Sequence, residues 1–119
     1  MTKKNDNLFI VEARVSPETE KKLECVGYRK SWFEVKPPTL SLAQRFLREY
    51  TDGHVNVIPN QPTGSYLYKV DARIEASENT GFYFKEVAIG GFLENYTYEE
   101  ALAIGIDRAL DIMLKGKGI

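Results

Sequence analysis

Two side chains in this sequence are of the types that most often act as a catalytic base or nucleophile. His54 is the single histidine and follows Asp52-Gly53 at a predicted turn, so no histidine pair can form a zinc site. Cys25 is the single cysteine, and no known nucleophile motif surrounds it. We therefore expect His54 to be a surface residue and Cys25 to be a small, buried apolar residue.

Acidic and glycine residues give no stronger indication of chemistry. Asp107 and Asp111 lie four positions apart on a predicted helix, and we interpret them, with Arg108 and Lys115, as a solvated helix face. Gly90-Gly91 lacks the lysine and the spacing of a phosphate-binding loop. The sequence thus predicts no catalytic residue, no cofactor, no metal ligand and no enzymatic activity. An enzyme with an unrecognised site remains an alternative.

Composition limits the partners and the compartment that we expect. The chain has 16 Lys and Arg against 17 Asp and Glu, a net charge of −1 that provides no general attraction for nucleic acid or anionic lipid. One cysteine cannot form an internal disulfide, which fits a reducing compartment. No apolar run approaches the roughly 20 residues of a membrane span, and no apolar segment of a signal peptide follows the first residues. We predict a cytoplasmic protein that does not bind membranes.

Hydrophobic periodicity predicts the element order β-α-β-α-β-β-β-α. This order is typical of a two-layer α+β domain, in which helices pack on one face of a mainly antiparallel sheet. The length of 119 residues fits a single domain, with residues 1–7 and 115–119 expected to be frayed tails. The predicted strands cover residues 8–15, 28–36, 54–59, 65–75 and 82–89.

Capping patterns indicate where the helices begin. Ser16-Pro17 places an N-cap serine before a proline at the first helical position. Ser41 and Gln44 have the spacing of a capping box at the second helix, and Thr97 and Glu100 have it at the last. We expect each pair to satisfy the free N–H groups of the first turn.

The two longest elements carry further packing information. The strand at 65–75 has one apolar face and one polar face. Leu67 is the one apolar residue on the polar face. The apolar face consists of Tyr66, Tyr68, Val70, Ala72 and Ile74. Gly105 lies in the apolar stripe of the last helix, which indicates close approach of that helix to the sheet. Gly90-Gly91 is expected to form a bulge or a tight turn.

Aromatic residues in the last strand raise the question of nucleic-acid binding. Residues 80–85 partly resemble the aromatic strand of an RNA-recognition motif, but Thr80 replaces its basic residue and Tyr83 its small one. We interpret these aromatics as core. The α-β-β-β-α order resembles double-stranded-RNA-binding domains, whose basic helix start is here the acidic Tyr98-Glu99-Glu100. Weak nucleic-acid binding remains an alternative, through the basic residues Arg45, Arg48, Lys69, Arg73 and Lys85.

One local family resemblance involves the start of the last helix. The run Thr97-Tyr98-Glu99-Glu100-Ala101-Leu102, with Gly81-Phe82-Tyr83 on the preceding strand, is similar to the small domain of HicB antitoxins. The resemblance implies an antitoxin-like regulatory role as an alternative function.

Across most of its length the chain resembles small uncharacterised proteins of bacterial prophages and other mobile elements. Three stretches carry this resemblance: Gly27-Tyr28 with Trp32-Phe33, residues 38–49, and residues 97–110. The resemblance implies a phage or mobile-element origin and no particular chemistry.

The sequence therefore favours a non-enzymatic accessory domain that binds a protein partner through its surface. Ile104 falls on the polar side of the last helix, and Tyr66 and Tyr68 lie on a tyrosine-rich strand, so we predict these three as interface residues. The protein partner is not identified by the sequence. Self-association as a homo-oligomer remains an alternative.

Overall fold

The computed structural model describes residues 13–29, 37–75 and 81–116. These residues form helix α1 (Pro17–Cys25), helix α2 (Leu40–Tyr50), strands β1 (Gly53–Asn60), β2 (Ser65–Glu75) and β3 (Phe82–Gly90), and helix α3 (Tyr98–Gly116). The predicted α+β class and the order of these elements are confirmed.

Two predicted strands and both predicted tails fall wholly or partly outside the described residues. Of the strand predicted at 8–15 the structure describes residues 13–15, where Arg14 forms an isolated bridge to Thr39. Of the strand predicted at 28–36 it describes residues 28 and 29, which are not in a strand. The predicted tail at 1–7 lies outside, as do residues 117–119, whereas α3 continues through Lys115 and Gly116.

The three strands form one antiparallel sheet in the order β1-β2-β3. Val55 pairs with Val70, and Val70 pairs with Ala88 on the other side. The next pair joins Asp71 to Glu86, so Val87 is an extra residue in β3. The bulge is therefore at Val87, where none was predicted; at Gly90-Gly91 the predicted alternative of a tight turn applies, since Gly91 has a φ of 101° and directly precedes the turn at residues 92–94.

The helices pack on one face of this sheet, as predicted. α3 crosses β1 and β2, α2 lies beside it on β1, and α1 packs on α3. A Cβ atom at Gly105 would lie 2.8 Å from Val55 Cγ1 and 2.9 Å from Tyr68 Cβ. The glycine thus allows the close approach of helix and sheet that its position in the apolar stripe indicates. Side chains from all three helices close the core: Leu23, Ala43, Phe46, Leu47, Leu102, Ile106, Ala109 and Leu110.

Two of the three predicted helix starts agree with the structure. The Ser16 hydroxyl accepts a hydrogen bond from the Thr19 N–H at 3.1 Å. The Thr97 hydroxyl accepts one from the Glu100 N–H at 3.1 Å, and the Glu100 carboxylate accepts one from the Thr97 N–H at 2.9 Å. These bonds satisfy the free donors of the first turns of α1 and α3.

The capping box predicted at Ser41 and Gln44 is wrong. α2 begins two residues earlier, because the Thr39 hydroxyl accepts the bond from the Leu42 N–H at 3.2 Å. The Gln44 amide instead donates to the Val55 carbonyl at 2.6 Å, which ties α2 to β1. Because threonine also caps well, this sequence offers two cap candidates two positions apart, Thr39 and Ser41, and α2 uses Thr39.

A polar contact joins α1 to α3. Lys22 Nζ lies 2.9 Å from Asp107 Oδ1 and 2.7 Å from Asp111 Oδ1, and the Thr19 hydroxyl donates to Asp107 at 3.1 Å. Hydrogen bonds to Asp111 and then to Asp107 raise the pKa of Lys22 above its ordinary value of 10.5. The expectation that these two aspartates only face solvent is wrong, because α1 packs across them.

Substituting Gly105 tests the close helix–sheet contact. Gly105→Ala should gain about 1 kcal/mol of helix propensity, yet the added carbon overlaps Tyr68 Cβ, which is fixed to the strand backbone. We expect a net loss of about 1–2 kcal/mol in the free energy of unfolding, measured by chemical denaturation. Gly116→Ala is the control, since nothing lies within 4 Å of that site. Equal effects of the two substitutions would contradict close packing at Gly105.

The α1–α3 contact should depend on pH. Since the folded pKa of Lys22 is raised, its stabilisation is complete below the unfolded pKa of about 10.5 and is lost as the pH rises through the folded pKa. Lys22→Met should therefore lower the free energy of unfolding by about 1 kcal/mol near neutral pH, and by less well above pH 10.5. Chemical denaturation near neutral pH and well above the unfolded pKa measures this difference in the free energy of unfolding. Lys21→Met, at an exposed site on α1, is the control. A pH-independent difference would contradict the assignment.

Candidate protein-binding surface

The described helices all pack on one face of the sheet and leave the other face uncovered. Directly paired residues of antiparallel strands project to the same face, so the register identifies its members. We call this the open face; it comprises His54, Asn56, Ile58 and Asn60 of β1, Ser65, Leu67, Lys69, Asp71, Arg73 and Glu75 of β2, and Phe82, Phe84, Glu86 and Ile89 of β3.

Strand β3 exposes apolar side chains along almost its whole length. Phe82 and Phe84 are 50% and 48% exposed on the open face, and Ile89 is 39% exposed. Tyr83, which projects to the helix side, is 52% exposed, because the helices cover β1 and β2. A strand with apolar residues exposed on both faces is unusual for a small domain, which makes β3 a candidate binding surface.

The turn after β3 extends this apolar surface. Gly91 packs against the start of β2, where a Cβ would lie 3.3 Å from Leu67 Cα. Leu67 lies beside this turn and is buried, although the alternation of β2 places it with the polar residues. At the tip of the turn, Phe92 is 55% and Leu93 90% exposed.

The aromatic rings of the open face pack against one another. The Arg73 guanidinium lies 4.1 Å from the centre of the Phe82 ring, and the Phe82 and Phe84 rings meet edge to face at 5.5 Å. His54 contacts the other side of Phe84, with ring centres 4.6 Å apart. These contacts restrict the rotamers of the exposed rings, so binding through them costs less side-chain entropy.

A cluster of three charged side chains lies in the middle of the open face. Lys69 Nζ is 3.8 Å from the Asp71 carboxylate and 4.0 Å from that of Glu86. Together with Arg73 and Glu75, the face carries both signs of charge. It therefore has no net positive field that would attract a phosphate backbone.

The residues predicted for nucleic-acid contact are not gathered into one patch. Arg45, which pairs with Glu49 at 3.0 Å, and Arg48 lie on α2, on the helix side of the sheet. Lys69 and Arg73 share the open face. Lys85 pairs with Ala72 and projects to the helix side. Of the five predicted residues, the structure therefore places only Lys69 and Arg73 on one surface, and Lys69 contacts the carboxylates of Asp71 and Glu86.

The three predicted interface residues lie in different settings. Ile104 is 36% exposed beside a cavity of about 480 Å³ between α1 and α3, which Lys22 and Asp107 also line. Tyr66 is half-buried against the Tyr98 ring, with centres 5.6 Å apart. Tyr68 packs against the core and over Gly90, so little of it is left for a partner.

The groups that could have carried catalysis are not assembled into a site. His54 packs against Phe84, and Cys25 is exposed, so the expectation of a buried cysteine is wrong. In the described ranges no three His, Cys, Asp or Glu side chains are grouped to hold a metal ion. No helix among the described residues is long and apolar enough to cross a membrane.

Comparison with known proteins adds no further information on function. No family model, no curated protein and no solved structure matches this chain. The choice between functions therefore rests on the surface of the molecule itself.

Sequence reasoning missed the surface of β3. Its aromatics were expected in the core, yet Phe82, Tyr83 and Phe84 are each about half exposed. One signal was present: the run from Phe82 to Phe84 is apolar at every position and lacks the period-two alternation of a half-buried strand. Such a run fits a strand covered on both faces or one at an edge, and the sequence does not distinguish the two.

Exposure predicts how little these rings contribute to stability. Phe84→Ala should lower the free energy of unfolding by about 1 kcal/mol or less, because much of the ring is already in water. The matched change Phe46→Ala removes a ring that is 2% exposed and should cost about 3–5 kcal/mol. Chemical denaturation followed by circular dichroism compares them. Similar losses for both variants would place Phe84 in the core and contradict an exposed surface.

Proposed function

We propose that this chain is a non-enzymatic accessory domain that binds a protein partner through the open face and the edge of β3. The exposed apolar side chains of β3 carry the proposal, namely Phe82, Tyr83, Phe84, Val87 and Ile89. Aromatic residues that are exposed but already fixed by their neighbours are characteristic anchors of protein–protein interfaces.

The backbone of β3 supports the same proposal. In the described part of the chain β3 is an edge strand, so every second N–H and C=O group points away from β2. An edge of this kind can accept a further strand, with main-chain hydrogen bonds providing affinity and the side chains providing specificity.

Mixed charge favours a protein over a nucleic acid as the partner. Lys69 is held between Asp71 and Glu86, and Arg73 stacks on Phe82. Nucleic-acid binding and an antitoxin-like role remain alternatives, and binding that weakens steeply with salt would favour them. The resemblance to prophage proteins supports a mobile-element origin, and the single cysteine Cys25 supports a cytoplasmic location.

Affinity purification of tagged protein from its host tests the proposal. The protein partner should be retained by the wild type and lost, by about tenfold or more, from Phe84→Ala/Ile89→Ala, because both side chains belong to the exposed surface. Tyr50→Ala is the matched control, an aromatic that is 63% exposed on α2. Equal recovery from all three proteins would contradict binding through β3.

A further inference from the structure

The helix layer leaves β3 exposed on its own side of the sheet, opposite the open face. α3 packs mainly on β1 and β2, and α2 lies beside it on β1. Tyr83 and Lys85 project to this side through their pairs Ile74 and Ala72, and both are exposed. A surface therefore lies between β3 and the side of α3 that faces away from α2.

The periodicity of α3 identifies the helix residues that border this surface. Gly105 faces the sheet, and Leu102 lines a cavity beside α2. Each residue of an α-helix advances by about 100°, so Leu102 lies about 60° to one side of Gly105 and Arg108 lies about 60° to the other. Ile112 and Lys115 lie on the same side as Arg108, which is therefore the side nearer β3.

The strand register places Lys85 at the same level along α3. Gly53, Ala72 and Lys85 form one row across the three strands. A Cβ atom at Gly53 would lie 3.1 Å from Met113 Cε, so this row lies beneath the last turns of α3. Lys115 is two residues beyond Met113, and its level along α3 is therefore close to that of Lys85.

The side chains at this surface are basic or apolar. We call it the basic surface; it comprises Ile74, Tyr83 and Lys85 of the sheet and Arg108, Ile112 and Lys115 of α3. Lys85, Arg108 and Lys115 are exposed, and within the described residues they form no ion pair. The aspartates of α3 are bound to Lys22, and the acidic residues of β2 and β3 project to the open face. Three cations therefore lie beside apolar side chains without a compensating carboxylate.

We propose that the basic surface binds an acidic amphipathic helix of a partner protein. A helix at the usual interaxial distance of about 8–10 Å from α3 extends the helix layer over β3. Its apolar stripe covers Tyr83 and Ile112, and acidic residues beside that stripe pair with the three cations. A phosphate backbone would match the cations but not the apolar side chains, which favours a peptide. The site goes beyond the proposed function, because it lies on the other face of the sheet.

Selection from a peptide pool tests the charge requirement. The probe is a pool of synthetic helices of about 16 residues, with leucine on one face and glutamate, lysine or glutamine randomised beside it. Immobilised wild type should retain peptides enriched in glutamate. Lys85→Glu/Arg108→Glu, which changes two exposed residues, should instead retain peptides enriched in lysine. Peptides without a charge bias on the wild type, or the same bias on both proteins, overturn the proposal.

Matched substitutions on the two faces of β3 test the location. With one glutamate-rich peptide from the selection, Tyr83→Ala should weaken binding by about tenfold in fluorescence anisotropy. Phe84→Ala should leave binding unchanged, because this equally exposed ring lies on the open face. Lys21→Glu, at an exposed site on α1, controls for the change in net charge. Equal losses from Tyr83→Ala and Phe84→Ala overturn the proposed location.

The outcomes separate this site from the proposed function. Peptide binding that depends on Tyr83 and not on Phe84 supports the basic surface, whether or not the open face captures a partner. Capture of a protein that depends on Phe84, without a charge bias in the selection, leaves the proposed function standing and overturns this site. An RNA duplex that binds through Arg108 more tightly than the selected peptide at physiological salt also overturns it, since the cations would then contact phosphates.

Discussion

Contact between the α3 backbone and the sheet is the constraint on which the rest of the packing depends. At Gly105 no side chain separates the helix from Val55 and Tyr68, so α3 lies close to β1 and β2. That position buries Ile106 and Leu110 completely and brings α3 beside α2 and α1. A larger residue at this crossing would lift the helix and open the core along its length.

The same placement explains why β3 is exposed. Of the three strands in the described part of the chain the helix layer covers two, so Tyr83 on the helix side is as accessible as Phe82 and Phe84 on the open face. Folding of an isolated chain gains little from apolar residues at these positions, since about half of each ring stays in water. Apolar residues exposed in this way are typical of surfaces that are covered on association.

The elements of this fold were largely predictable because periodicity and capping are local properties. Thr97 and Glu100 form the expected box, and Gly105 makes the expected close contact. Features decided by tertiary contacts were not predictable: a sequence does not show that Thr39 caps α2 or that Lys22 reaches across to Asp107. The exposure of β3 belongs to this second group, because it depends on how far the helix layer extends over the sheet.

The bulge at Val87 connects the architecture of the sheet to its surface chemistry. An edge strand rich in Phe, Tyr, Val and Ile would pair with many other strands if it were regular and uncharged. The charges at Lys85 and Glu86 penalise partners that lack the complementary pair, and the extra residue penalises partners without a matching irregularity. A strand with these properties is selective because most alternative pairings are excluded.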